Sequence, residues 1–524
     1  MVNKFLILPA LLLFMLFTFG CAPKQTALPK EAQTFVTATA PAGPTPAPTD
    51  APPPSEDLSP YRQTMKPKLA REVDQQAAKG ITRYKIEAAL LPESLTQRDG
   101  PKIQGRMKAQ YTNTESVLLN QIYFRLLPNT PGYGGAMKIT GVTVNGKVSP
   151  AEIVAQRATL EVPLHHALAP GESLRIALTY EASIPTTANY GYGMYAWQDN
   201  ILTLAGFFPV IPVFDADGWH VEVIPQHGDA TYNDVALYDV TLTAPADMTL
   251  VTSGDILTVT HPTSVTQTIH AYGGPMRDFF VAMSPDYQKI SAEVGEITVN
   301  SYFVAGYRQA GEFALQTASE ALQDFEKRFG PYPYRAFDVL AAPMPGTLGG
   351  VEFPGLAVMA QRYYQNPDND FWEFVIAHEV GHQWWYGLVG SDQVNYPWQD
   401  EALTQYTALL YFEDKYGPQK RQELANLYFW YPYNQLLATG TDRPVAGPVS
   451  DFSETMYGAV VYGKGPLFFE ALRDSIGDPL FFAGLRQYAN AYRYSIASPE
   501  DLLASFGQAN KQDVEYLYQK WILK

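Results

Sequence analysis

Alternation of apolar and polar positions dominates the chain from about Ile81 to Tyr302. Leu174, Ile176, Leu178 and Tyr180 recur at every second position, as do Tyr238, Val240 and Leu242, which is the period of a strand with one buried face. Within Val142-Thr143-Val144-Asn145-Gly146-Lys147-Val148, the Asn145-Gly146 pair predicts a two-residue hairpin turn, because both central positions of such a turn need positive φ. Residues 61–302 are therefore expected to form an N-terminal, mostly antiparallel β domain. Near Ala305 the pattern changes to helix-like stretches separated by Pro and Gly, with Phe313 to Phe329 the first long one. A second, mainly helical α/β domain is expected over residues 303–524. The apolar run from Ile201 to Phe214 is interrupted by Gly206, Pro209 and Pro212, which predicts a buried loop or strand and not a membrane span. No repeat of fixed period is visible.

The N-terminus has a different pattern. Lys4 is followed by an apolar stretch from Phe5 to Phe19, and residues 1–20 read as an export signal. Thr18-Phe19-Gly20-Cys21 resembles the lipobox of bacterial lipoproteins, which implies a lipidated Cys21; the alternative is an ordinary signal-peptidase site nearby. Residues 21–60 are crowded with Pro, Ala and Thr and read as a semi-extended tether. The expected location is outside the cytoplasm, anchored to the bacterial membrane or envelope through Cys21.

Composition narrows the picture. A chain of 524 residues with 46% apolar content can bury more than one core. Its formal net charge of -16 opposes polyanions and removes nucleic acid as an expected partner. Cys21 is the single cysteine, so neither an internal disulfide nor a thiolate metal site inside the fold is available.

The chemistry centres on His378-Glu379-Val380-Gly381-His382. Phe371, Phe374, Val375 and Trp385 give its surroundings a helical period, and Asp368-Asn369-Asp370 offers N-cap candidates. On a helix, positions i and i+4 share a face, so both imidazoles can reach one ion with Glu379 beside them. The plain alternative is a helix with two hydrogen-bonded histidines. A catalytic zinc takes three protein ligands and keeps one open position. Glu401, nineteen residues after His382 near the start of a helix that Pro397 helps to open, is the candidate third ligand. By itself it reads more simply as a favourable charge at a helix N-terminus, and the ligand reading prevails only in combination with the histidine pair.

This arrangement resembles the gluzincin zinc metallopeptidases, and among them the aminopeptidase N and leukotriene hydrolase family. That family carries His-Glu-x-x-His and a Glu after eighteen intervening residues. Trp398 and Asp400-Glu401 match its Trp-x-(Asn/Asp)-Glu signature; Gly349-Gly350-Val351-Glu352-Phe353 and Tyr462-Gly463-Lys464-Gly465 stand where it has Gly-x-Met-Glu-Asn and Tyr-x-Lys-Gly. The likeness runs from about Tyr84 to Leu523. It implies a thermolysin-like catalytic domain, one zinc ion on His378, His382 and Glu401, and Glu379 as general base. It further implies Tyr462 as oxyanion donor, Glu352 as the partner of the substrate α-amino group, and Gly349 and Gly350 as a wall that peptide backbone approaches closely. Lys464 is expected to be structural.

Three departures qualify the likeness. Val351 and Phe353 replace Met and Asn, no β-domain Gln or Glu can be matched within Leu202 to Pro209, and no long helical C-terminal domain is expected before Lys524. The reading that results is an aminopeptidase acting on peptides. An endopeptidase with an open cleft and a non-catalytic peptide-binding protein of the same fold are its rivals.

Overall fold

The computed structural model describes residues 57–95, 100–188, 194–228 and 232–524. The export signal, Cys21 and nearly all of the tether lie outside the described residues. Residues 57–524 cluster as one compact unit, within which a β part and a helical part are distinct in architecture.

The alternating segments form an eight-stranded sheet. Its order is Asp255–Thr260, Thr266–Met276, Ala236–Pro245, Thr82–Leu90, Lys102–Thr112, Ser173–Ser183, Ala136–Val144 and Lys147–Val148. Neighbours are antiparallel apart from Thr82–Leu90 against Ala236–Pro245. Leu174, Ile176, Leu178 and Tyr180 are all buried, as are Tyr238, Val240 and Leu242, so the period-two pattern marks the core face as expected. Asn145 and Gly146 turn the hairpin at φ 49° and 79°, pairing Val144 with Lys147. Ile201–Leu204 of the interrupted apolar run is a fully buried strand in a separate four-stranded sheet. The rest of that run is largely buried loop.

The helical part is built on a five-stranded sheet in the order Tyr287–Val294, Ile297–Val304, Ala336–Ala342, Leu356–Ala360, Gly350–Phe353. Its first strand precedes the boundary expected from sequence, and its second straddles it. Ile297–Val304 runs parallel to Ala336–Ala342, so a cut at 302/303 falls inside a strand of this sheet. Local alternation cannot reveal this, because the parallel partner lies more than thirty residues downstream. The helix expected from Phe313 starts at Arg308 and ends at Phe329. Its inward face carries Ala310, Ala314, Ala318 and Ala321, and at Gly311 a Cβ would lie 2.1 Å from the Phe303 ring. Small residues there let the helix lie close on the sheet. No helix among the described residues is long and apolar enough to cross a membrane.

Candidate metal centre

The helix Asp370–Gly381 begins at Asn369, whose side-chain oxygen accepts from the Trp372 N–H at 2.9 Å. Trp372, Phe374, Ile376, Ala377 and Val380 are buried around it, so the helix is enclosed on nearly all sides, as an all-round apolar helix must be. Phe371 departs from the expected apolar face and is 39% exposed. His378 and Glu379 sit in the last turn, and His382 is the first residue past the helix end. The helix Trp398–Tyr416, with Pro397 at its N-cap, brings Glu401 in on its first turn.

Three predicted ligands meet here. His378 Nε2 and His382 Nε2 are 2.9 Å apart, and Glu401 Oε2 lies 3.2 Å from the first and 3.6 Å from the second. His382 Nδ1 faces Asp400 Oδ1 at 2.8 Å and the Trp385 carbonyl at 3.1 Å. Both partners are acceptors, so the ring proton belongs on Nδ1 and the Nε2 lone pair points at the cluster. Gln393 Nε2 donates to the other Asp400 oxygen. Ligands of a tetrahedral zinc held at ~2.0–2.1 Å are separated by ~3.3 Å. The triangle of two imidazole nitrogens and one carboxylate oxygen matches that size and donor set, and so fits zinc.

The other predicted residues line the same space. Glu352, in the edge strand Gly350–Phe353, is 5% exposed. It forms a second close group with Glu379 and His382, their ligand atoms within 4.8 Å of one another. Glu379 Oε2 is buried without a hydrogen-bond partner, available to a bound water or substrate. Tyr462 O–H donates to Glu401 Oε1 at 2.5 Å, from a π-helical run over Gly458–Lys464; such runs recur at functional sites. Lys464 is buried and donates to Asp442 Oδ1 and to the carbonyls of Arg443 and Lys524, a structural role.

The glycines also make room on the histidine-helix side. A Cβ on Gly350 would lie 2.6 Å from Glu379 Cγ and Oε1, and one on Gly349 would lie 2.7 Å from Val375 Cγ1. The space their missing side chains leave is filled by the histidine helix, so they set the approach of Glu379 to the strand.

Burial governs the electrostatics. It raises the pKa of Glu379 well above the usual carboxylate value and that of Glu352 to about 8, with His382 pulling against it in both. Burial also lowers that of His378. At His382 burial is outweighed by Glu352 and Asp400, and the pKa rises. Acids and bases thus share protons in a dry space.

Comparison with known proteins agrees with this geometry. Residues 313–521 match the family model described as Peptidase family M1 domain. Over this stretch the chain is similar to a peptidase family M1 domain. Human endoplasmic reticulum aminopeptidase 2 is 26% identical over 264 residues, covering 46% of this chain and 27% of that protein. Probable aminopeptidase 1 of Sulfurisphaera tokodaii is 25% identical over 253 residues, covering 46% and 31%. The chain thus spans less than a third of the length of these two relatives. Among solved structures, the M1 zinc metallopeptidase of Deinococcus radiodurans superposes with a TM-score of 0.61 at 19% identity, covering 85% of this chain and 94% of that one. A mutant of the same enzyme bound to a Tyr-Ser-Ala substrate gives 0.62 at 20% identity. These likenesses show the fold: a β-rich part followed by a helical M1 part.

Sequence reasoning missed several supports of the M1 site. Gln383 accepts from the Gly355 N–H at 2.9 Å and donates to the Phe353 carbonyl at 3.0 Å, tying the Glu352 strand to the histidine helix. Phe353, one of the departures, stacks on Phe280 of the β part at 4.2 Å. The position of Gln383 directly after His382 was the only available signal for it.

Proposed function

We propose that the protein is a zinc-dependent aminopeptidase that removes N-terminal residues from peptides outside the cytoplasm. The observation that carries this reading is the zinc-sized triangle of His378, His382 and Glu401 with Glu379 and Glu352 beside it. A zinc ion there supplies Lewis acidity, polarising the scissile carbonyl and making water nucleophilic near neutral pH. Glu379 takes a proton from the attacking water and passes it to the departing amine as the C–N bond breaks. Tyr462 donates its hydroxyl hydrogen to the oxyanion of the tetrahedral intermediate. Glu352 accepts from the substrate α-ammonium in a dry setting and fixes the scissile bond one residue from the N-terminus. The relatives and the Tyr-Ser-Ala complex, all peptidases by description, support the substrate class.

The test compares peptides with free and acetylated N-termini. A charge-assisted hydrogen bond to the ammonium is worth ~1.5 to 3 kcal/mol, or about tenfold to more than a hundredfold in kcat/KM. Glu352→Gln should shrink that preference by weakening the free-amine substrates alone. Comparable internal cleavage of acetylated peptides would replace the aminopeptidase reading with an endopeptidase one.

Localisation rests on the sequence of residues 1–21. Lipidation of Cys21 would hold the enzyme at the membrane, and Cys21→Ser should then shift it to the soluble fraction or stall its processing. Unchanged membrane association would remove the anchor.

A further inference from the structure

Arg277 directly follows the strand Thr266–Met276, and its buried guanidinium directs its hydrogen bonds to backbone carbonyls. Nε donates to Tyr386 at 2.6 Å, Nη1 to Asn233 at 3.0 Å, and Nη2 to Ser495 at 2.7 Å and Leu388 at 3.4 Å. The next residue, Asp278, accepts the hydroxyl hydrogen of Tyr386. Consecutive residues of the β part therefore grip one residue of the M1 domain, one by its carbonyl and the other by its side chain. The fit is close: a Cβ on Gly390 would lie 2.3 Å from Arg277 Cζ.

The gripped residue is strained. Tyr386 has φ 111°, a value that a non-glycine residue keeps only where its surroundings enforce it. Its N–H donates to the Val389 carbonyl at 2.9 Å, while Gly387 N–H returns to the His382 carbonyl at 2.8 Å. The chain thus wraps back on the histidine immediately after the helix ends. The peptide plane between Trp385 and Tyr386 turns with φ of Tyr386, and its carbonyl oxygen is the one 3.1 Å from His382 Nδ1. Relaxing Tyr386 toward negative φ would swing that oxygen away from the imidazole.

We infer that Arg277, Asp278 and Tyr386 are positioning residues for His382: held by the β part, the strained Tyr386 aims the Trp385 carbonyl at Nδ1 and so orients Nε2 toward the metal. This rests on the zinc reading above. Such outer partners of a metal-binding histidine are worth roughly tenfold to a hundredfold in metal affinity. The clamp therefore couples the β part to the metal although none of its three residues belongs to the ligand cluster.

The experiment measures zinc affinity of the metal-free full chain by competition with a chromophoric chelator, at a temperature where circular dichroism shows each variant folded. Tyr386→Phe is nearly isosteric and removes the Asp278 bond; Arg277→Lys keeps the charge but cannot span four carbonyls. Arg493→Met is the control, breaking the 3.0 Å ion pair with Glu72 of the helix Arg71–Ala78, a pair that includes none of Arg277, Asp278, Tyr386 and His382. Tyr386→Phe and Arg277→Lys should raise the zinc dissociation constant about tenfold or more. Arg493→Met should lower Tm and leave the constant unchanged. If Tyr386→Phe, which decides the matter should Arg277→Lys fail to fold, lowers Tm yet binds zinc within twofold of the parent, the clamp is merely structural and the inference falls. A parent chain that binds no stoichiometric zinc overturns the metal reading and the clamp with it.

Discussion

Gly350→Ala should separate the placing of the general base from the binding of the metal. The added Cβ would sit 2.6 Å from Glu379 Cγ and Oε1 and 2.7 Å from Cδ, so the carboxylate must retreat by about 0.8 Å to regain an ordinary contact near ~3.4 Å. Gly350 belongs to a strand paired to Leu356–Ala360, and Glu379 to a helix buried on nearly every side, so neither backbone yields easily. The side chain of Glu379 has to move. A misplacement of about 1 Å costs roughly a hundredfold in rate, and overpacking of this kind costs ~1 to 3 kcal/mol in stability. Gly349→Ala meets Val375 at 2.7 Å instead; it should cost similar stability yet less than tenfold in kcat, because no reacting group lies in its way. The assay is kcat/KM on an amino-acid arylamide, with zinc content by elemental analysis and Tm by calorimetry. Full zinc occupancy with a hundredfold loss in the Gly350 variant alone is the expected result. Equal losses in both variants, or near-normal activity in Gly350→Ala, would refute the claim that this glycine places Glu379.

Two further outcomes concern the metal site and one the β part. Glu379→Gln, which leaves the His378, His382 and Glu401 triangle intact, should keep stoichiometric zinc and lose about 10² to 10⁴ in turnover; near-normal turnover would sink the base assignment. Glu401→Ala leaves two nitrogen ligands, so zinc should be lost on dialysis, and full retention would point to a different third ligand. In the β part, Glu222 at 3.8 Å and Asp215 at 2.7 Å raise the His220 pKa from 6.5 to about 9. A raised folded-state pKa means the stabilisation is complete below pH 6.5 and fades as pH climbs through about 9. With both acids about a third exposed, screening reduces it to ~1 kcal/mol. Thermal unfolding between pH 6 and 10 should show that loss in the parent chain and not in His220→Gln; identical pH profiles would dismiss the pairing.

What could be read in advance divides along sequence separation. His378, Glu379 and His382 lie within five residues at the end of one helix, so their convergence on one face follows from local periodicity, though the fine orientation of His382 does not. Glu401 was legible as a helix-start residue and became a ligand candidate only in company with the histidine pair. Glu352 and Tyr462 were legible by motif, but not what Gly350 makes room for, since a glycine reports that space is needed and not which neighbour takes it. The strands over 287–304 read correctly as β, but their pairing into the five-stranded sheet was not legible, because strand pairing is a long-range choice that alternation does not encode. Arg277 is the limiting case. Its carbonyl partners at positions 233, 386, 388 and 495 share no spacing, and their groups are peptide oxygens that every residue carries. A side chain whose work is done on backbone leaves no pattern in its partners' identities. The positive φ of Tyr386 is equally silent, since tyrosine is not a residue that advertises such a conformation. The contacts that join the β part to the metal site are therefore those that only coordinates could supply.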